Sequence, residues 1–458
     1  MPRKQAEVAT RPLNPSETSV IGRLIGKEGK NLKVLEAKAG PSVKIRVQRE
    51  KDQLTIHSES AVERDRALEL LNDTLGKLVF IDRIHHQSKR KLQTATKDTS
   101  AQASRLYVDV LNYAKEKFFR SWSIQGAQRE VERFVQAATR SNFDMVVFID
   151  QGFSEEAESD AFAKWTERRL AEVTDGEKTL PQGMSVMLGE MFRELGVEVR
   201  YSLDEDNDHT LAGWAFHDSN NSASVIVVSR DSDFLRYNHP NTDEPYVFPL
   251  CADFEVNEDG PALKLFPREI PPSIYAAQKP RLGIISPPPQ YHQVRPKEPL
   301  FTVRRDQVYR RGVPSPLIKT LGYNPYIVIR PLRQVLYHEL FANGSGRTDV
   351  ESASEMIESF PMWNNVTNQA EFVTTNVPIP PKRDEELFNL ATKDPKRTFE
   401  RFFSDLLMET MKPRDVSDED WKNHRFACIG VVVEICCSFP GNNIFYLETM
   451  MRAQLEEW

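Results

Sequence analysis

Two sets of residues in this chain have types and spacings suited to chemistry. The first is a recurrence of acids just after short apolar runs. Asp109 follows Leu106-Tyr107-Val108, and Asp150 follows Val146-Val147-Phe148-Ile149. Asp206 and Asp208 come shortly after Val199-Arg200-Tyr201, and Asp231 and Asp233 after Val225-Ile226-Val227-Val228. At the carboxyl ends of parallel strands such acids share one rim, where ligands bind. Carboxylates gathered there repel unless cations lie between them. Hard oxygen donors suit Mg²⁺ or Mn²⁺, and paired ions of this kind activate water and stabilise the leaving oxygen in phosphodiester cleavage. The second set is Arg23-Leu24-Ile25-Gly26-Lys27-Glu28-Gly29-Lys30. Its glycines let two helices meet tightly and let a nucleic-acid backbone come close, while Arg23, Lys27 and Lys30 offset phosphate charge. A nucleotide P-loop needs a different glycine spacing and a Ser or Thr after its Lys, and neither is present.

These residues need elements to hold them. Strands are expected at 105–110, 145–149, 197–201 and 225–228 with helical stretches between, a βαβαβ pattern that predicts a parallel sheet covered by helices. Around the glycine loop, an apolar turn precedes it and a helix follows through Leu32, Leu35 and Ala39. Alternation at 43–47 and 54–56 predicts half-buried strands, a further strand is expected near 7–13, and a helix over 61–75 closes the unit. The polar run 87–104 reads as linker, which is expected to begin near 79 and to leave His85 and His86 exposed. Pro271-Pro272 and Pro287-Pro288-Pro289 begin a third part as stiff chain. Helices are expected there near 331–342, 384–392 and 396–411, the first presenting Arg330 and Arg333 on a solvated face. The segments 429–437 and 443–455 are too apolar for a solvated tail, and Cys436-Cys437 should pack as small hydrophobes.

Composition narrows the classes. With 40% hydrophobic and 28% charged residues, the chain is neither membrane-spanning nor disordered in type. It has no apolar run of transmembrane length, no signal-peptide core at its start and no CxxC pair among its four cysteines. An intracellular protein, cytoplasmic or nuclear, is the expectation. The net charge of −7 means that any nucleic-acid affinity must come from local patches.

Residues 6–78 resemble a KH domain of the single-strand-binding kind, carried by Gly22-x-x-Ile25 followed by Gly26-Lys27-Glu28-Gly29. In that family a GxxG loop clamps the backbone of about four nucleotides. The resemblance implies binding of single-stranded RNA or DNA through Gly26, Lys27, Glu28, Gly29, Lys30 and Arg23. Residues 105–240, and more loosely 310–345, resemble PIN-like domains of the flap-endonuclease superfamily. Asp109-Val110-Leu111-Asn112 has their Asp-x-x-Asn form, and Phe148-Ile149-Asp150 resembles their second strand. Ala163-Lys164-Trp165-Thr166-Glu167-Arg168-Arg169 resembles the basic helix after it. Asp206-x-Asp208 and Ser229-x-Asp231-x-Asp233 match the later acids, and Ser232-Asp233-Phe234 with the 329–337 stretch is similar to the asteroid branch. The family's later Gly-x-Asp duplex-gripping motif has no counterpart.

The resemblance implies that Asp109, Asp150, Asp206, Asp208, Asp231 and Asp233 are catalytic and hold Mg²⁺ or Mn²⁺, with Lys164, Arg168 and Arg169 steering the strand's phosphates. The expected architecture is an N-terminal α+β KH domain (6–78), a linker (79–104) and a PIN-like α/β parallel-sheet core (105–260). A proline-rich connection and a mainly helical C-terminal region (261–458) complete it. The expected function is a divalent-metal-dependent nuclease on RNA, or on single-stranded or flapped DNA. The alternative is a catalytically inactive RNA-binding adaptor that scaffolds partner proteins, which the C-terminal region would contact. No membrane partner is expected.

Overall fold

Asn14 starts the first helix by accepting a hydrogen bond from the Glu17 amide while the Glu17 carboxylate accepts one from the Asn14 amide, a closed capping box with Pro15 just inside it. In the computed structural model that describes it, the chain runs over residues 7–97, 103–150, 159–174, 184–202, 207–221, 224–257, 262–293, 302–304, 307–310, 312–313, 315–342, 354–407, 412 and 416–439. Two compact units divide it. One holds 1–104, 215–255 and 264–286, and the other holds 105–214, 256–263 and 287–458. The stretch expected as one core, 105–260, is thus shared between them.

The first unit opens with β1 (Glu7–Pro12), α1 (Pro15–Ile25), α2 (Lys30–Ala39), β2 (Lys44–Gln48), β3 (Gln53–Ser58) and α3 (Ala61–Ala95). The strands form an antiparallel sheet in the order β1-β3-β2, with Ala9 and Ile45 both opposite Ile56. Leu54 and Ile56 on the central strand are buried along with Val20, Leu24, Leu32, Leu35, Leu71 and Leu75 of the three helices. Burying each such side chain is worth about 1.5–3 kcal/mol.

At α3 the structure departs from expectation. The polar run is helix as far as Ala95, so the linker is mostly absent. Leu78, Ile81, Ile84, His85, Ser88 and Leu92 are buried at spacings of three and four, the period of one helix face. His85, expected exposed, is buried with its Nε2 2.8 Å from the Arg268 carbonyl oxygen. The Ser88 hydroxyl donates to the Phe248 carbonyl and accepts from the Leu250 amide, and Lys91 donates to the Val247 carbonyl. The buried His85 and Ser88 meet chain from 247–268 rather than water, and Lys91 reaches the same chain from an exposed position.

The second unit carries β4 (Ser104–Asp109), α4 (Ile124–Arg140), β5 (Phe143–Asp150), α5 (Ser159–Thr174), α6 (Met184–Glu194) and β6 (Glu198–Ser202). These strands neighbour one another in that order, and β5 runs parallel to β6 with Ile149 opposite Tyr201. Their apolar residues are buried without alternation, as in a sheet covered on both faces. After α7 (Asn207–Asn220), β7 (Val225–Val228) belongs to the first unit and pairs there in parallel with Leu250 and Cys251. The fold is mixed α/β and mostly parallel in its larger sheet strands, and all four expected core strands are present.

The region after 261 is less helical than expected. Thr302–Arg304, Gln307–Tyr309, Glu355–Asn364 and Gln369–Pro378 form a four-stranded sheet whose last two members, ten residues each, make a hairpin. Helices do occupy Arg330–Tyr337, Glu385–Lys393, Pro395–Phe403 and Asp418–Cys437. Arg333, expected on a solvated face, is buried against Glu358, whereas Arg330 is exposed. Cys436 is buried as expected. The segment 443–455 lies outside the described residues. No described helix is long and apolar enough to cross a membrane.

Candidate functional site

The glycine loop is built by the meeting of α1 and α2. Gly26 ends α1 at φ +72°, its amide donating to the Gly22 carbonyl at 3.0 Å. A single 3₁₀ turn, Lys27–Gly29, leads into α2, with Glu28 at φ +55° and Gly29 at φ +74°. Left-handed backbone is where an L side chain is strained and glycine is not. A Cβ on Gly26 would also lie 2.5 Å from the Asn31 amide nitrogen. That amide is in use: it donates to the Arg23 carbonyl at 2.8 Å, tying the start of α2 to the end of α1.

Lys27, Glu28 and Lys30 are exposed. Neither lysine has an ion-pair partner among the described residues. Arg23 plays a different part, because its guanidinium meets Asp82 of α3 at 2.5 Å and the Pro272 carbonyl at 3.3 Å. It braces α1 against the body of the unit. Two cations that sequence reasoning passed over, Lys44 and Arg46, are exposed on β2 at alternate positions; Lys44 lies 3.6 Å from Glu36. The period-two alternation was the available signal.

Among the acids, Asp109 is the last residue of β4, is buried, and accepts a hydrogen bond from the Asn112 amide. Asp150 ends the neighbouring β5, exposed and opposite Ser202 in register. Asp208 is the second residue of α7 and half-buried. Asp206 lies outside the described residues. In the first unit, an Asp231 carboxylate oxygen accepts the Asp233 amide at 2.9 Å and so caps the turn Ser232–Leu235. The Asp233 carboxylate meets Arg236 at 2.5 Å and Lys279 at 3.8 Å.

These contacts decide how far a divalent ion fits. The cap uses one Asp231 oxygen and leaves the other able to meet a cation, whereas Asp233 already has two cations beside it, where Mg²⁺ or Mn²⁺ would have to displace them. Among the described residues, no three His, Cys, Asp or Glu side chains are gathered as a metal site.

The basic helix is α5. Arg168 is exposed, while Arg169 pairs with Glu172 at 3.0 Å. Burial raises the Glu172 carboxyl above its ordinary value, with Arg169 opposing. Lys164 lies on this helix, and its side chain lies outside the described residues. Comparison with known proteins gives no family: no family model matches the chain, and no curated protein is significantly similar to it.

Proposed function

We propose that this protein binds single-stranded nucleic acid through a KH-like module formed by β1 to α3. The observation that carries the reading is the glycine loop: left-handed Gly26 and Gly29 flank exposed Lys27 and Glu28 between two short helices. The β-α-α-β-β-α order with its β1-β3-β2 sheet agrees with the KH resemblance. Bare backbone at the glycines allows a strand to approach, and the two lysines supply charge for its phosphates. Hydrolysis ranks second, because Asp231 and Asp233 are engaged by an amide and by Arg236. On this reading the PIN-like α/β core acts as a scaffold in an RNA-binding adaptor, and no cleavage step is derived.

Fluorescence anisotropy with labelled single-stranded RNA and DNA tests the proposal. Gly26→Asp with Gly29→Asp, and separately Lys27→Glu with Lys30→Glu, should each weaken binding by more than about tenfold. The second pair changes only exposed side chains, so it keeps the test valid should the first fail to fold. Unchanged affinity in the lysine pair would overturn the reading. The same protein given Mn²⁺ and labelled RNA or flapped DNA should leave both intact. Cleavage that disappears in Asp231→Ala/Asp233→Ala would put the nuclease first.

A further inference from the structure

The segment from Lys77 to Lys97 contains Lys77, Arg83, Lys89, Arg90, Lys91 and Lys97 against one acid, Asp82, in a chain whose net charge is −7. α3 sorts these charges by face. Asp82 is bound by Arg23, Lys89 reaches Glu269 at 3.4 Å, and Lys91 turns to the Val247 carbonyl. Arg83, His86, Arg90 and Lys97 remain exposed. At 100° per residue Arg83, His86 and Arg90 lie along one line, on the side of the helix opposite the buried Ile81, His85, Ser88 and Leu92, and Lys97 follows in the turn just past the helix end at Ala95. Arg83 stacks on the Phe80 ring at 5.1 Å, and His86 lies 3.5 Å from Asp82. Arg90 and Lys97 have no ion-pair partner among the described residues. Arg83 and Arg90 stand about 10 Å apart along the helix.

We infer that this outer stripe of α3 is a track for the sugar-phosphate backbone of a nucleic-acid strand. Like charges in a row on one helix face, continued by Lys97 at its end, match a linear polyanion. Amphipathic membrane helices and protein-partner hot spots carry apolar anchors among their charges. None of the exposed large apolar residues among the described residues falls between 77 and 97. The stripe lies beyond the 6–78 segment that resembles a KH domain, so the inference does not rest on the glycine loop.

The test uses the full chain with fluorescent single strands of about 30 nucleotides, titrated across about 50 to 300 mM salt. Arg83→Gln/Arg90→Gln/Lys97→Gln should lower the slope of log affinity against log salt by about 2, since each phosphate contact on a single strand contributes about 0.7. Affinity near physiological salt should fall at least tenfold, with the melting temperature unchanged. An unaltered slope in the triple variant overturns the inference, as does a wild-type protein that binds no strand. Equal, stripe-dependent binding to polyglutamate or to phosphatidylserine vesicles also overturns it, by assigning the stripe to another anion. Loss in the triple variant with none in Lys27→Glu/Lys30→Glu would uphold the stripe while refuting the loop reading.

Discussion

Gly26 and Gly29 share a sign of φ but not a neighbourhood, and the difference is measurable. Alanine at Gly29 meets open space and incurs only the left-handed backbone penalty, about 1–2 kcal/mol. Alanine at Gly26 incurs a larger backbone penalty, because its ψ of 176° lies in a region that is essentially glycine's alone, and it also displaces Asn31, which loses its bond to the Arg23 carbonyl, adding about 1 kcal/mol. Thermal unfolding should therefore rank wild type above Gly29→Ala and Gly29→Ala above Gly26→Ala; equal midpoints for the two variants would remove Asn31 from the argument. The loop's form was legible because glycine spacing states its own backbone need. The fate of individual charges was less so. The cap made by Asp231 follows from its place before a short turn, and Asp233 with Arg236 is an i, i+3 pair open to reading. The clamp of Arg23 on Asp82 joins residues 59 apart in sequence, and no local pattern announces it.

The lesson recurs among the elements. The polar composition from Gln87 onward hides the second half of α3, and His85, Ser88 and Lys91 are among its polar positions. The structure pairs all three with carbonyl oxygens, so the burial of His85 and Ser88 is satisfied rather than forbidden, while Lys91 stays exposed. Leu78, Ile81, Ile84 and Leu92 do keep the helical period, but too sparsely to stand out from the surrounding charge. The 355–378 hairpin escaped for another reason: Pro361 argues against a strand interior. It lies outside Ile357–Ser359, the part of its strand that pairs with Gln307–Tyr309, so it has no ladder bond to donate on that side. A proline probe distinguishes helix from linker in α3. Gln87→Pro should cost about 3 kcal/mol by removing a helix bond and clashing with the preceding turn, lowering the melting temperature of the full chain. A flexible linker would tolerate it without change.

Over the whole molecule, the βαβ pattern was legible because parallel strands buried on both faces are written as unbroken apolar runs. What holds the second unit's later part together was not, since it is a buried polar cluster assembled from four distant segments. Glu358, wholly buried, receives Arg310 at 3.2 Å and Arg333 at 2.7 Å, with the Tyr337 hydroxyl donating at 2.6 Å. Burial opposes its ionisation, but the two guanidiniums outweigh that and hold its carboxyl below the ordinary value. Glu434 has no such advantage: the Tyr326 hydroxyl donates to it at 2.5 Å, and burial pushes its carboxyl up to about 8 despite Arg310 and Arg333, with Glu358 adding to the rise. Between the ordinary value of 4.5 and about 8, the folded protein keeps this proton while the unfolded chain gives it up. Stability from Glu434 is thus complete below pH 4.5, falls as pH rises through that window, and levels off above it. The total change is on the order of 3–5 kcal/mol. Burial lowers His424 and His85, which act in the reverse sense, costing stability as pH falls below the ordinary histidine range. The comparison of wild type with Glu434→Gln separates the two, because glutamine keeps the shape and carries no proton to lose. Melting temperatures measured from pH 5 to 8.5 should converge on the acid side and part on the alkaline side, with the glutamine variant the more stable near pH 8. Parallel curves would mean that Glu434 is ionised in the folded protein, and that the cluster is balanced by charge pairs alone.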